Sequence, residues 1–202
     1  MEIIFSINKD KKVRIFIAVL VLIFTLQSWT KADDIRDFQI GGMSIGDSLL
    51  NYFTKKEIDD GQFFEKEQGN RRDVARFYIR KKKGNYDWTA VSYKTSDNDY
   101  KIIELSGFVF MNFSKCIKKR NKIDVDLKGL FTNSEKQETG RVEHFLDKNS
   151  FTDNIIYWTS NTKNDLISLT CYDWSDDTGY RDQLRVETYS DEYHKWLSSL
   201  EQ

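Results

Sequence analysis

Residues 100–111 have the sequence YKIIELSGFVFM, and they predict the strand around which the fold is built. The stretch is apolar at most positions, on both of the faces that alternate residues of a strand form. A strand of that kind is typical of the middle of a sheet, where both faces are covered. The neighbouring segment 75–80 (ARFYIR) instead alternates apolar and polar residues, which predicts a strand with one buried face.

The chain on either side repeats the order of a helix followed by strands. Helix signals begin at Ser44 and Thr54 before the first strands, and Ser114 begins the longest helical pattern, to residue 131. We predict a polar loop at 133–140, a turn at 147–153 and a last helix from Asp191. The later strands are predicted at 142–146, 154–159, 166–174 and 183–189.

These patterns predict the α+β class, with antiparallel sheet or sheets in two helix-plus-meander halves and a C-terminal helix. The halves span residues 41–111 and 112–202. About 170 residues fit one domain, so we expect residues 33–202 to form a single α+β domain.

The N-terminal residues have the layout of a secretory signal peptide. Four Lys and Arg residues between positions 9 and 14 precede an almost wholly apolar run at 15–26. Thr30 and Ala32 are small residues where signal peptidase requires them. The pattern predicts that residues 1–32 are a signal peptide cut between Ala32 and Asp33, and that the protein is periplasmic or secreted.

The alternative interpretation is a membrane anchor that is never cut. A bilayer core requires roughly 20 apolar residues of helix, whereas the run has fourteen even when it is counted from 13 to 26. Length therefore favours cleavage, after which we expect no membrane contact. The alternative places the protein at the inner membrane, anchored through residues 13–26.

Composition argues against a nucleic-acid partner. The full chain has a formal net charge of −1, and loss of residues 1–32 removes five basic and two acidic residues, which leaves about −4. A general nucleic-acid binder has a clear basic excess. Aromatic residues at 14% and charged residues at 31% are typical of a folded protein with a solvated surface.

Cys116 and Cys171 both lie in the exported part, and an even pair in an oxidising compartment predicts one disulfide. Cys116 lies on the apolar face of the predicted helix, and Cys171 shares a strand face with Ile167 and Leu169. Such a bond would join helix to sheet. Two buried free thiols are the alternative, because sequence alone does not show that the Cα atoms come within about 7 Å.

Three segments resemble a known group of proteins: residues 43–50 (MSIGDSLL), 171–175 (CYDWS) and 184–186 (LRV). Together they are similar to an uncharacterised family of short exported proteins from marine alphaproteobacteria, and the resemblance spans most of the mature chain. It implies a compartment and a bacterial source, and no particular chemistry.

Gly42-Met43-Ser44 is also similar to the start of small modules of the BamE and beta-lactamase-inhibitor type. In those periplasmic and secreted modules a Gly-Met-Ser/Thr cap precedes a helix and antiparallel strands, and the proteins act by binding other proteins. This chain departs from the lipoprotein pattern because it has no lipobox cysteine near Ala32. The resemblance implies architecture only.

The usual groups of an active site are scarce. His144 alternates with Val142 and Leu146 on a strand, and His194 lies beside Tyr193 on a helix, so both are interpreted as packing or surface residues. The chain has no Gly-x-Ser-x-Gly, His-Glu-x-x-His or phosphate-loop motif. We therefore expect no catalytic residue, no metal ligand, no cofactor-binding residue and no cofactor.

Aromatic residues give the better indication of a partner. Trp88, Trp158, Tyr172 and Trp174 lie on predicted strands. If several of them share a solvent-facing surface, they mark a binding patch. If all are buried, the hypothesis loses its support.

The sequence thus predicts a non-catalytic periplasmic or secreted module whose sheet surface or loops bind another protein or an envelope component. The alternative is an envelope hydrolase that uses Asp and Glu residues. A deep pocket that collects carboxylates such as Asp173 and Glu187 would favour it. No pattern in the sequence specifies an oligomeric state.

Overall fold

The computed structural model describes residues 34–64, 71–80, 85–159 and 165–200, which contain one antiparallel sheet of eight strands. These residues belong to a compact unit that spans residues 32–202. The predicted signal peptide and its cleavage position at Ala32/Asp33 lie outside the described residues. The strands are β1 (Gln62–Phe63), β2 (Val74–Arg80), β3 (Trp88–Lys94), β4 (Ile102–Phe110), β5 (Glu135–His144), β6 (Asp147–Trp158), β7 (Leu166–Asp173) and β8 (Gln183–Tyr189).

The strand order is β1-β2-β3-β4-β8-β7-β6-β5. Strands β1–β4 form one meander and β5–β8 a second one, and the two join where β4 pairs antiparallel with β8. The prediction that residues 100–111 lie at the centre is therefore confirmed. Its physical basis is that β4 has hydrogen-bonded neighbours on both edges and residues buried on both faces.

The described residues form three α-helices: α1 (Lys55–Gly61), α2 (Phe113–Leu130) and α3 (Asp191–Ser198). Helix α1 precedes the first meander, α2 precedes the second, and α3 ends the described chain, so the α+β class with two helix-plus-meander halves is confirmed. Thr54 and Glu57 form a capping box at α1 as predicted, whereas Asn112 rather than Ser114 caps α2. In the part of the chain that the structure describes, no helix has the length and apolar character to span a membrane.

One face of the sheet, called the covered face below, holds the main hydrophobic core. Helix α2 packs on β7 and β8 there, and the segment before α1 crosses the end of β4, where Gly46 N donates to Ile102 O over 2.8 Å. The strands contribute alternate apolar residues, among them Val91, Leu105, Leu169 and Val186. Burial of these side chains stabilises the packing of α2 and of the segment before α1 against the sheet.

The disulfide joins two of these layers. The Sγ atoms of Cys116 on α2 and Cys171 on β7 are 1.97 Å apart, the Cα atoms are 5.8 Å apart, and both residues are fully buried. The bond therefore links α2 to the covered face of β7, within the second half of the chain, as the sequence predicts.

Two predicted boundaries are wrong. The loop expected at 133–140 is most of strand β5, and the turn expected at 147–153 is the start of β6. Strand β5 is at the edge of the sheet and is exposed along nearly its whole length, so it lacks the apolar alternation that reveals a strand.

The helix expected from Ser44 is also wrong. The structure has a turn there and a short 3-10 helix at Leu49–Asn51. Gly46 has a φ of +87°, which ends any helical path, and Ser44 N donates to the Asp47 carboxylate over 2.9 Å. The capping chemistry is present, but the chain turns towards the end of β4.

Candidate binding groove

The second face of the sheet, called the open face below, has a different composition from the covered face. The strand registers place alternate residues of β2, β3, β4, β8 and β7 side by side on this face. Near the middle of the sheet these residues are charged, hydroxylated or aromatic instead of aliphatic. They include Arg76, Ser92, Glu104, Ser106, Phe108, Arg185, Glu187 and Tyr172.

A cavity of about 380 Å³ lies on the open face, and we call it the groove. Its floor is formed by β4 and β8, and its first wall by α3 with Tyr193 and Trp196. The second wall consists of the β5–β6 turn, with His144 and Phe145, and the turn that carries Tyr180. This volume lies within the ordinary range for small-ligand pockets.

The floor of the groove contains a buried ion pair. Arg76 Nη2 donates to Glu104 Oε1 over 3.0 Å and to Ser106 Oγ over 2.9 Å. Ser92 Oγ donates to the other oxygen of Glu104 over 2.6 Å, and Ser106 Oγ also bonds to Glu104. A fully buried carboxylate is tolerated here because both of its oxygens are bonded.

A second acid–base pair lies next to the first. Glu187 Oε1 is 3.3 Å from Ser106 Oγ, accepts a hydrogen bond from the Tyr189 hydroxyl over 3.1 Å, and lies 3.5 Å from Arg185 Nη1. Two arginines and two glutamates thus balance each other across β2, β4 and β8. The formal charges of these four side chains sum to zero.

Burial controls protonation at this floor. It raises the pKa of Glu104, against the lowering effects of the Arg76 charge and of the hydrogen bonds from Ser106 and Ser92. Burial also raises the pKa of Tyr172 and, well above its ordinary value, that of Tyr189. The phenols therefore stay protonated at neutral pH and can donate hydrogen bonds.

Aromatic rings line the groove beside this charged floor. The Arg185 guanidinium lies between the rings of Phe108 and Tyr172, at 4.9 and 4.6 Å from their centroids. Tyr172 and Trp174 stack with centroids 5.4 Å apart, and Tyr180 lies 4.8 Å from Trp174. Rigid aromatic rings next to fixed polar groups are typical of binding surfaces.

Two buried donors at this position have no internal acceptor. Arg185 Nε and Trp174 Nε1 make no hydrogen bond to any of the residues that the structure describes. A buried N–H without a partner costs about 1–3 kcal/mol, so such donors are usually satisfied by water or by a ligand. Both side chains line the groove.

His144 closes the groove at the β5–β6 turn. It is 8% exposed, stacks on Phe145 at 4.9 Å and lies 4.5 Å from the Trp174 ring. Its Nδ1 accepts a hydrogen bond from Leu146 N over 3.2 Å, and burial lowers the pKa of the imidazole. The prediction that His144 is a packing residue agrees with these contacts, and it packs inside the groove wall.

A second cavity of about 400 Å³, which we call the outer pocket, adjoins the groove at the end of β4. It shares Tyr78, Phe108 and Arg185 with the groove, and its outer side is formed by Trp88 and Arg181. The Arg181 guanidinium lies 4.3 Å from the centroid of Phe110, and Arg80 lies 5.9 Å from that of Trp88. The outer pocket is thus an aromatic cavity with arginines at its rim.

The aromatic residues singled out from the sequence do share one face. Tyr172 and Trp174 line the groove, and Trp88 lines the outer pocket. Trp158 belongs to the same face but packs edge-on against His194 at 5.5 Å. All four are half-buried rather than fully buried.

The carboxylates named for a hydrolase are separated. Glu187 lies in the groove, whereas Asp173 faces the covered side and pairs with Arg141 over 2.5 Å. Sequence reasoning missed Arg76, Glu104 and Arg185. The available signal was Glu104 itself, a charge in the middle of a strand otherwise predicted to be buried.

No group of three or more His, Cys, Asp or Glu side chains that could hold a metal ion occurs among residues 34–64, 71–80, 85–159 and 165–200. Comparison with protein-family models, with curated proteins and with solved structures found no match to this chain.

Proposed function

We propose that this protein is a non-catalytic binding module, exported from the cell that makes it, and that its ligand occupies the groove. One observation carries the proposal. Beside α3, the open face of β4 and β8 holds a groove in which aromatic rings lie next to the paired charges of Arg76, Glu104, Arg185 and Glu187. A face that served only stability would be apolar and covered.

The chemistry of the floor favours binding over hydrolysis. Each glutamate lies beside an arginine and a hydroxyl, and Glu104 has no exposed surface. A general acid or base must reach the substrate with an oxygen that is available for proton transfer.

The compartment proposed is the periplasm or the exterior. It is supported by the Cys116–Cys171 disulfide, since such bonds persist in oxidising compartments. The predicted signal at residues 1–32 supplies the route. The mass of the exported protein tests this point: a chain that begins at Asp33 agrees with cleavage, and one that begins before Ile15 requires the membrane-anchored alternative.

The partner class proposed is a protein or an envelope component that presents a compact group to the groove. A nucleic acid is disfavoured because the floor has balanced charges and the chain is acidic overall. The adjoining volumes of about 380 and 400 Å³ accommodate one small ligand or a few side chains of a larger partner.

Site-specific photo-crosslinking tests the proposal. A benzophenone amino acid replaces Tyr180, which is 65% exposed at the groove wall, in the full chain expressed in its own cells. The matched control replaces Tyr52, which is 42% exposed in the segment on the covered face. We expect a mass increase, detected on the intact protein, from position 180 alone.

Equal adducts at Tyr180 and Tyr52, or none at Tyr180, would contradict binding in the groove. A further variant, Phe108→Ala, removes one ring of the floor without touching either crosslinking position. It is expected to reduce the adduct at position 180 while circular dichroism shows an unchanged fold.

A further inference from the structure

We infer that the ligand of this site includes a small organic acid with an aromatic or bulky apolar body, whose acidic group binds Arg181 in the outer pocket. The inference rests on the proposed function, because it assigns chemistry to the cavity that adjoins the groove. It concerns Arg80 at the end of β2, Trp88 at the start of β3, Phe110 at the end of β4, and Arg181, which precedes β8.

The outer pocket has more positive than negative charge. The outer pocket and its rim carry three guanidinium groups, on Arg80, Arg181 and Arg185, and one carboxylate, on Asp87. Asp87 is engaged with the backbone, since its Oδ2 accepts a hydrogen bond from Phe110 N over 2.9 Å. In the described part of the chain neither Arg80 nor Arg181 forms an ion pair, so this corner is positive on a protein whose net charge is −1.

Arg181 is oriented by stacking on an aromatic ring. Its guanidinium lies over the ring of Phe110 at 4.3 Å. Stacking uses the face of the guanidinium and leaves the N–H groups at its edge available, and that edge matches a carboxylate or a similar oxyanion in two parallel hydrogen bonds. The Phe110 ring thus orients the Arg181 guanidinium so that its edge can bind an anion.

The rest of the outer pocket is lined mainly by aromatic rings. Tyr78, Trp88, Phe108 and Tyr180 form most of the wall, so the volume next to the cation favours an apolar or aromatic group. Tyr78 and Phe108 lie with ring centroids 6.5 Å apart. An inorganic anion would leave this apolar volume unfilled, whereas an acid with a ring of its own uses both parts of the cavity.

The volume of the outer pocket limits the size of the ligand. About 400 Å³ is at the lower end of the range for small-molecule sites, which sets the ligand at roughly one or two rings with a short acidic substituent. 2-Naphthoate has this size and chemistry. 2-Naphthamide has the same shape without the charge, and the two compounds form a matched pair of probes.

Isothermal titration calorimetry tests the inference, with each probe titrated into protein that has been expressed from the full-length sequence. We expect 2-naphthoate to bind about tenfold more tightly than 2-naphthamide, since a charge-assisted pair replaces a neutral one. Arg181→Gln is expected to remove about that tenfold preference for the acid and to leave the affinity for the amide unchanged. Arg36→Gln, an exposed arginine near the N-terminal end of the described chain, serves as the control and is expected to change neither.

Equal affinities for acid and amide, a preference for the acid that survives Arg181→Gln, or no binding of either probe would each overturn the inference. These outcomes are distinct from failure of the proposed function, which the crosslink at Tyr180 reports. A groove adduct without any acid preference would retain the binding module and reject the acidic ligand. Because Arg181 is exposed, its replacement does not endanger folding, and urea unfolding of the variant verifies this.

Discussion

Reduction of the Cys116–Cys171 disulfide is expected to destabilise the protein by several kcal/mol. The bond closes a loop of 55 residues between α2 and β7, and both cysteines are fully buried in the main core. Without it, the unfolded chain gains the freedom to separate these two positions. The native contacts between α2 and the covered face remain in place.

The chain-entropy model gives the size of the effect. For a loop of 55 residues, the bond removes about 14 cal/mol/K of entropy from the unfolded chain, which corresponds to about 4 kcal/mol of stability at 25 °C. A domain of this length loses roughly 2–4 °C of melting temperature per kcal/mol, so we expect a decrease of about 8–16 °C. In urea, with a slope of about 2 kcal/mol/M, the midpoint is expected to fall by about 2 M.

The assay is urea unfolding of the same protein, oxidised and reduced, followed by tryptophan fluorescence. Comparison of the two redox forms keeps both sulfur atoms in the core, so the difference reports the bond and not lost packing. The double variant Cys116→Ala/Cys171→Ala is the control for the reductant. Its midpoint is expected to be the same with and without reductant.

A difference below about 1 kcal/mol between the oxidised and reduced forms would refute the reasoning. It would mean that the unfolded chain already keeps α2 and β7 near each other, or that strain in the folded state offsets the entropy. A reduced form that fails to fold would place the effect at or above the total stability of the protein, and thermal unfolding of the oxidised form would then set its lower limit.

Two further predictions concern single residues of the sheet. Arg76→Met leaves the buried Glu104 carboxylate without its cation and is expected to cost about 3–5 kcal/mol, most of which Glu104→Leu restores in the double variant. Burial already raises the pKa of Glu104 in the folded state, and loss of Arg76 raises it further. Folding then favours the protonated acid, so this stabilisation is present at low pH and is lost as pH rises, and the deficit of Arg76→Met should shrink between pH 7 and pH 5. A deficit independent of pH in urea unfolding would contradict this assignment. Gly107→Ala would place a Cβ 2.4 Å from Cδ1 of Tyr86, and we expect a loss of about 1–3 kcal/mol. Gly129→Ala in α2, where a Cβ meets nothing within 4 Å, is the matched control and is expected to gain about 0.5–1 kcal/mol. Equal thermal shifts for the two alanine variants would count against the packing argument.

Much of the fold follows from local patterns. Strand β8 occupies the predicted residues, and strand β2 follows the predicted alternation, because a sheet with one apolar face imposes a period of two on its sequence. The helix from Phe113 follows from a period of three and four residues. The first part of strand β5, residues 135–140, is predicted as a loop because an edge strand exposed on both faces has no such period, whereas its end overlaps the strand predicted at 142–146.

The groove could be predicted only in part. That Tyr172 and Trp174 share a face follows from their spacing of two in the strand predicted at 166–174, but their neighbours on that face, Arg185 and Tyr180, come from other segments of the chain. Glu104 was placed correctly in a central strand, but a lone buried acid in a sequence does not reveal its base. Its partner Arg76 is 28 residues away, on a strand that does not pair with β4.

The sequence by itself determined the α+β class and the alternating faces of the strands, because these depend on residues close along the chain. The even number of cysteines predicted the Cys116–Cys171 bond, and the structure confirms it by placing the two residues side by side. The tertiary structure alone decided that β8 returns to pair with β4. That pairing places Glu187 opposite Ser106 and Arg185 opposite Phe108 on the open face. The physical reason is that hydrophobic periodicity selects which face of a strand is buried, whereas the choice of neighbouring strand depends on contacts across the whole sheet.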